Sequence, residues 1–282
     1  MGRVGLGIAF LALLVFAPAT LTLAGCGSEE TATTAAAEAS DIILASTTST
    51  QDSGLFDVLL PAFQAAYPQY TVKVIAVGTG EALKLGEQKD ADVLLVHAPA
   101  SEKEFVANGF GTERLEVMYN DFVILGPADD PAGVKDAADV SGALTEIADA
   151  QAKFISRGDD SGTHKMEIAL WKAAAIEPAG DWYEAVGQGM GEVLRIASER
   201  LAYTLTDRAT YLNLMEGLDL EIVSEGDSAL FNQYGVIPVS DATNLEGAKD
   251  FAAWITSSDG QAVIETYGVE MFGQPLFVPN AK

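Results

Sequence analysis

Three stretches of the sequence gather hydroxyl groups and glycines where a strand-like run gives way to a helix-like one. They are Ser46-Thr47-Thr48-Ser49-Thr50, Val77-Gly78-Thr79-Gly80 and Arg157-Gly158-Asp159-Asp160-Ser161-Gly162-Thr163. A helix N-terminus offers unpaired N–H groups and partial positive charge, glycine lets the backbone approach a ligand closely, and Ser or Thr adds a donor without a fixed charge. Together these suit an anion. A fourth stretch, Thr206-Asp207-Arg208, follows another strand-like run. Arg157 and Arg208 occupy similar positions in a chain that has only 16 Lys plus Arg, and the guanidinium fork matches an oxyanion. Helix capping accounts for one hydroxyl per loop but not for five in succession. The alternative for each arginine is an ion pair with Asp159, Asp160 or Asp207. The candidate ligand-binding residues are therefore Thr48, Ser49, Thr79, Arg157, Ser161, Gly162, Thr163 and Arg208. The aspartates Asp52, Asp159, Asp160 and Asp207 are expected to orient the arginines or cap helices.

The elements that must position these loops alternate along the chain. Strands are expected at Asp41–Ser46, Thr71–Val77, Ala91–Val96, Leu115–Leu125 (with Asn120 and Asp121 as an interruption), Lys153–Ser156, Leu201–Leu205 and Gly235–Val239. Thr47–Ser53 reads as a polar loop. Helices are expected within Gly54–Tyr67, where Pro61 should kink the run or mark a first turn, and at Glu81–Gln88, within Val134–Ala150, and at Thr163–Ala175, Gly191–Arg200, Leu245–Thr256 and Gly260–Tyr267. Strands alternating with helices predict an α/β fold whose mostly parallel sheets are covered on both faces. In such sheets ligands bind beyond the carboxyl ends of the strands.

The 282 residues carry a formal net charge of -25 and are 49% hydrophobic. That acidity opposes nucleic-acid binding, which needs a basic footprint, and means that any anion site is built from local donors. At the N-terminus Arg3 is the only charge before Glu29, Gly5 to Leu23 is almost wholly apolar, and Leu23-Ala24-Gly25-Cys26 resembles a bacterial lipobox. Residues 1–25 are expected to be a signal peptide, Cys26 a lipidation site, and residues 26–40 a flexible tether. Cys26 is the sole cysteine, so a disulfide framework is excluded.

Enzymatic readings are weak. His97 and His164 are the only histidines. Ser161 three residues before His164 does not make a triad, and there is no Gly-x-Ser-x-Gly elbow. Gly78-Thr79-Gly80 lacks the further glycine of a dinucleotide fingerprint and the lysine of a P-loop. His97, at the end of an apolar strand, is expected to be a satisfied buried histidine. Trp171, Trp182 and Trp254 are expected in the core.

Read together, the loops resemble those of the TupA-type tungstate-binding proteins. The likeness runs through Ser46–Thr50 with Asp52-Ser53-Gly54-Leu55, Val77–Leu83, Ala91–Ala98, Val117–Val123, Phe154–His164 and Ala202–Tyr211, and spans roughly residues 41–275. Ala209 stands where the pattern has glycine, and Ser46 heads the hydroxyl run as a second departure. The resemblance implies a two-lobed periplasmic-binding-protein fold of type II, with lobe I from 41–118 plus 238–282 and lobe II from 119–237. It implies capture of tungstate, or of molybdate, in the cleft by hinge closure, and delivery to the permease and ATPase subunits of an ABC importer. It implies a lipid-anchored monomer facing the periplasm or the cell exterior, no catalysis, no cofactor and no cation site, since tungsten is bound as an oxyanion. Other possibilities are a phosphate or sulfate binder, a lipid-anchored hydrolase using Ser161 or His164, and a surface adhesin.

Overall fold

The computed structural model describes residues 40–282. The expectations for the signal peptide, Cys26 and the tether lie outside the described residues. In chain order the elements are β1 (Ser40–Thr47), α1 (Thr48–Asp52), α2 (Phe56–Ala66), β2 (Tyr70–Val77), α3 (Thr79–Gln88), β3 (Val93–Val96), α4 (Pro99–Ala107) and β4 (Leu115–Gly126). Then come α5 (Val140–Asp149), β5 (Phe154–Ser156), α6 (Gly162–Ala173), β6 (Tyr183–Ala185), α7 (Met190–Glu199), β7 (Tyr203–Asp207), α8 (Arg208–Leu214) and β8 (Glu221–Ser224). The chain closes with β9 (Phe231–Pro238), α9 (Leu245–Thr256), α10 (Ser258–Thr266), α11 (Val269–Phe272) and β10 (Val278–Pro279). None of the helices among the described residues is long and apolar enough to cross a membrane.

The strands follow the order β2-β1-β3-β9-β4-β7-β5-β6, with β10 and β8 added beside β4. Pairing is parallel on the outer sides, β1 with β2 and β3, and β5 with β6 and β7. It is antiparallel around β4 and β9. Strand β4 serves both halves: Leu115–Asp121 pairs with β9, and Phe122–Gly126 with β7 and β8. The chain therefore crosses between lobes at Asp121–Phe122 and returns near Phe231. Residues 231–237, expected in lobe II, hydrogen-bond within the lobe I sheet through β3 and β4.

Apolar side chains fill both faces of each sheet. In lobe I, Leu44, Leu59, Phe63, Phe251 and Trp254 pack on one face and Leu94, Phe105 and Ile237 on the other. In lobe II the faces hold Phe122, Phe154, Leu170 and Trp171, and Val123, Ile155, Val193 and Leu194. Burial on both faces is why β3 and the second half of β4 read as unbroken apolar runs.

Two local expectations change. Thr47–Ser53 is not an extended loop: Thr47 accepts from the Thr50 N–H and caps the five-residue α1. Pro61 does not mark a first turn. It sits inside α2 at an exposed position, and Asp57, whose carbonyl loses its donor there, is exposed too.

Candidate functional site

The loops after β1, β2 and β5 meet at the carboxyl ends of their strands, where the two lobes touch. Arg157, which directly follows β5, is 1% exposed. Its guanidinium reaches across to lobe I, donating from Nη1 to Ser49 Oγ at 3.0 Å and from Nη2 to Thr48 Oγ1 at 2.9 Å. It also donates from Nε and Nη2 to Asp159 Oδ2 at 3.2 and 2.5 Å. Burial alone would raise the Asp159 carboxyl, but the Arg157 charge and hydrogen bonds from Ser161 outweigh it and hold the group below its usual range. Asp159 is thus an ionised partner of the arginine, as expected for it.

The loop is shaped for this. Gly158 adopts φ 63°, and a Cβ there would lie 2.7 Å from the Ala185 side chain, so both backbone and space require glycine. Ser161 caps α6 by accepting from the His164 N–H at 3.2 Å. The start of α6 is fixed from below by Glu167, whose buried carboxyl accepts from Ser156 Oγ at 2.7 Å, Tyr183 OH at 2.7 Å and Trp171 Nε1 at 3.2 Å. Burial pushes that carboxyl up to about 7.

Thr79 opens α3, and its Oγ1 accepts from the Gly162 N–H of α6 at 2.9 Å, another bond between lobes. Thr163 lies next to it, and its buried Oγ1 has no protein partner among the described residues. Thr48, Ser49 and Thr79 all use their oxygens as acceptors, from Arg157, from the Met190 N–H and from Gly162. Their hydroxyl protons, and that of Thr163, find no acceptor among the described residues. Ser49, Thr79 and Thr163 are buried to 1% exposure or less. Buried hydroxyls left in this state are destabilising unless something accepts from them. What the cluster can do is donate, to a small acceptor-rich group with no protons of its own.

Arg208 is not gathered into this cluster, contrary to the expectation for it. It grips Asp121 with two bonds, Nε to Oδ1 at 2.8 Å and Nη2 to Oδ2 at 2.6 Å, and Glu225 with a third at 2.6 Å. Asp121 ends the lobe I half of β4, so Arg208 clamps the crossing strand. The reason is local: Asp207 turns inward to cap α8 through the Thr210 N–H at 2.9 Å and Thr210 Oγ1 at 2.7 Å, which leaves Arg208 facing the acidic outer side. Burial pushes Asp207 up to about 6. Ala209, at the departure from the glycine pattern, is helical and buried in the lobe I core.

His97 is buried, as its position predicts. Nε2 pairs with Thr47 Oγ1 at 3.2 Å, Nδ1 with Asn232 Oδ1 at 3.0 Å, and the ring stacks on Tyr234 at 4.7 Å. Burial lowers its pKa to about 4, so it is neutral near pH 7. Asn232 in turn donates to Asn120 at 2.8 Å, and Asn120 to Asp207 at 3.3 Å. The hydrolase alternative has no geometry behind it: Ser161 Oγ is occupied as a cap, and His164 Nδ1 accepts from the Asp160 N–H at 3.1 Å instead of facing Ser161. Asp160 itself pairs with Lys165 at 2.5 Å.

Sequence reasoning missed the start of α7. There Gly191 N–H donates to Asp52 Oδ2 at 2.8 Å across the lobe boundary. The run Gly187-Gln188-Gly189-Met190-Gly191, glycines again before a helix, was the available signal.

Comparison with known proteins agrees with this architecture. The family model described as the PBP superfamily domain matches residues 32–259. The tungstate-binding protein TupA of Peptoclostridium acidaminophilum is 55% identical over 246 residues, covering 85% of this chain and 86% of its own. Two solved structures align at TM-scores of 0.72 and 0.70. The first, described as the tungstate ABC transporter from Geobacter sulfurreducens, is 49% identical over 80% of this chain and 98% of its own. The second, the tungstate-binding protein TupA from Desulfovibrio alaskensis G20, is 47% identical over 86% of this chain and 100% of its own. These are substrate-binding proteins of transport systems, not enzymes, and the chain belongs to their family, the TupA-type tungstate-binding proteins of the PBP superfamily.

Proposed function

We propose that this protein captures tungstate between its two lobes and delivers it to the permease and ATPase subunits of an ABC importer. The observation that carries the reading is the set of hydroxyls on Thr48, Ser49, Thr79 and Thr163 at the lobe boundary with the buried Arg157, the first three used as acceptors and the buried Thr163 hydroxyl without a protein partner among the described residues. Tungstate near neutral pH is a fully deprotonated dianion that accepts hydrogen bonds and donates none. A site of donors matches it. Molybdate has the same charge and shape and is the second ligand of this reading.

Phosphate and sulfate are the alternatives within the class. Monohydrogen phosphate brings a proton that needs an acceptor, and the carboxylate beside Arg157, Asp159, is engaged through Oδ2 by Arg157 and through Oδ1 by the Ser161 N–H. That occupancy favours the unprotonated ion. The proposal includes an extracytoplasmic location with the chain held at the membrane through lipid on Cys26, working as a monomer.

Calorimetric titration against tungstate, molybdate, sulfate and phosphate tests it. The expected result is tight one-to-one binding of tungstate with weak or absent binding of phosphate and sulfate. No heat from any of the four anions, in a folded sample, would overturn the proposal.

A further inference from the structure

Four glycines at the lobe boundary share a property that their backbone does not explain. None has a positive φ, so alanine could adopt each conformation. Yet a Cβ on each would meet the opposite lobe. From lobe I, a Cβ on Gly78 would lie 3.0 Å from the Asp159 backbone oxygen. From lobe II, a Cβ on Gly162 would lie 3.0 Å from the His97 ring and from the His97 backbone oxygen. One on Gly191 would lie 3.1 Å from Asp52 Oδ2, and one on Gly189 would lie 3.3 Å from Thr48 Cγ2. Gly80 differs, since the closest atom it would meet is the carboxylate end of the exposed Asp160, which can move aside.

The groups facing Gly78 and Gly162 are held. His97 is fixed by Thr47, Asn232 and Tyr234. Asp159 is fixed by Arg157 and Ser161. The seam also brackets the donor cluster: Gly78 adjoins Thr79, Gly162 adjoins Thr163, and Gly189 faces Thr48. We propose that this glycine seam is the mechanical stop of lobe closure and so sets the size of oxyanion that the closed cleft fits. The inference rests on the oxyanion reading for its ligand, but the stop is a property of the two lobes. Packed contacts of this kind do not deform by tenths of an ångström without loss. Without Cβ atoms the lobes approach until backbone meets backbone or ring. With one, they stop short, and the hydroxyls of one lobe no longer reach an anion held by Arg157 of the other.

Gly162 and Gly191 lie in the first turns of α6 and α7, where alanine is the better helix former. Gly162→Ala and Gly191→Ala should therefore leave the melting temperature of the ligand-free protein unchanged or raised. Gly142→Ala is the control: it lies in α5, where a Cβ would find only ordinary contacts at 3.5 and 3.6 Å.

Two measurements on the full chain test the seam. In stopped-flow release, the two seam variants should lose tungstate about 10- to 100-fold faster, the effect of a methyl forced into a packed contact, while Gly142→Ala matches wild type. In hydrogen exchange without any anion, the Gly80 amide, which donates to the Asp160 carbonyl across the seam, should exchange faster in Gly162→Ala. Unchanged release and unchanged exchange in both seam variants would overturn the stop, as would a drop in ligand-free stability large enough to account for the lost binding. If wild type fails to bind tungstate, the oxyanion reading falls while the exchange measurement still decides the seam.

Discussion

Arg157 and Arg208 present the same sequence context and different physics. Each directly follows a strand of the same lobe, with an aspartate within two residues and a helix starting at it or a few residues on. Arg157 is buried, reaches across to the other lobe and shares itself between one carboxylate and two hydroxyls. Arg208 is partly exposed, with a side-chain accessibility of 21%, and is neutralised by two carboxylates, Asp121 and Glu225. The difference teaches that a cation becomes available to an anion only when its neighbours are hydroxyls rather than a full set of counter-charges. Position after a strand supplies the opportunity, and the partners decide the outcome.

The largest effect that would break this comparison is on affinity. Arg157→Ala should weaken tungstate binding by about 2–5 kcal/mol, because it removes a charge-assisted contact and leaves a buried dianion without its counter-charge. Arg208→Ala should stay within about 1.4 kcal/mol, or tenfold, in the same calorimetric titration. Equal losses would erase the distinction.

Next in size is a pH effect at the base of the site. His97 is pushed down to about 4 from an ordinary 6.5, so as pH falls below 6.5 the unfolded chain takes up a proton that the folded one refuses. Stability from His97 is present above that value and is lost towards pH 4, by on the order of 3 kcal/mol. Glu102 and Glu167, pushed up to about 7, and Asp207, pushed up to about 6, all chiefly by burial, act in the opposite sense. Their folded forms hold protons longer than the unfolded chain, so their contribution falls as pH rises from the ordinary carboxylate range to 7. The His97 share is read as a difference: urea unfolding of wild type and His97→Asn between pH 4 and 7 should give a smaller gain with pH for the variant. Parallel curves would contradict the neutral, buried histidine.

Smaller again are the hydroxyls. Thr79→Val and Thr163→Val each remove one donor and should cost tungstate affinity about 1–2 kcal/mol. Thr256→Val, whose hydroxyl donates to the Ala252 carbonyl of its own helix far from the cluster, should leave it unchanged. The smallest effect is expected for Asp207→Asn, within about tenfold in affinity, since Asp207 serves the α8 cap and the crossing strand.

Much of the fold was legible because both sheets are buried on both faces, so that β1, β3, β4, β5 and β7 announce themselves as apolar runs. The short edge strands β6 and β8 were not, because three or four half-buried residues give no periodicity. Helix α4 was hidden for another reason. One of its two buried residues is the carboxylic acid Glu102, matched to Arg114 at 2.6 Å, which removes the apolar pattern a helix is recognised by. At the site, the post-strand loops identified the Thr48, Ser49, Thr79, Arg157 and Thr163 cluster. They could not reveal that the outer face beside Arg208 is lined by Asp121 and Glu225, because those residues come from a crossing strand and a loop distant in sequence. Nor could they show Asp121–Phe122 as the point of crossing between lobes, since the polar Asn120 and Asp121 inside an apolar strand read as an interruption.

The central claim is that one oxyanion sits against Arg157 and the surrounding hydroxyls. Anomalous diffraction at a tungsten absorption edge, from crystals grown with tungstate, tests it most directly. The account predicts one strong peak within hydrogen-bonding reach of Arg157, Thr48, Ser49, Thr79 and Thr163, with oxygens facing the hydroxyls. A single ordered peak elsewhere, beside Arg208 for example, with none at Arg157, would contradict it.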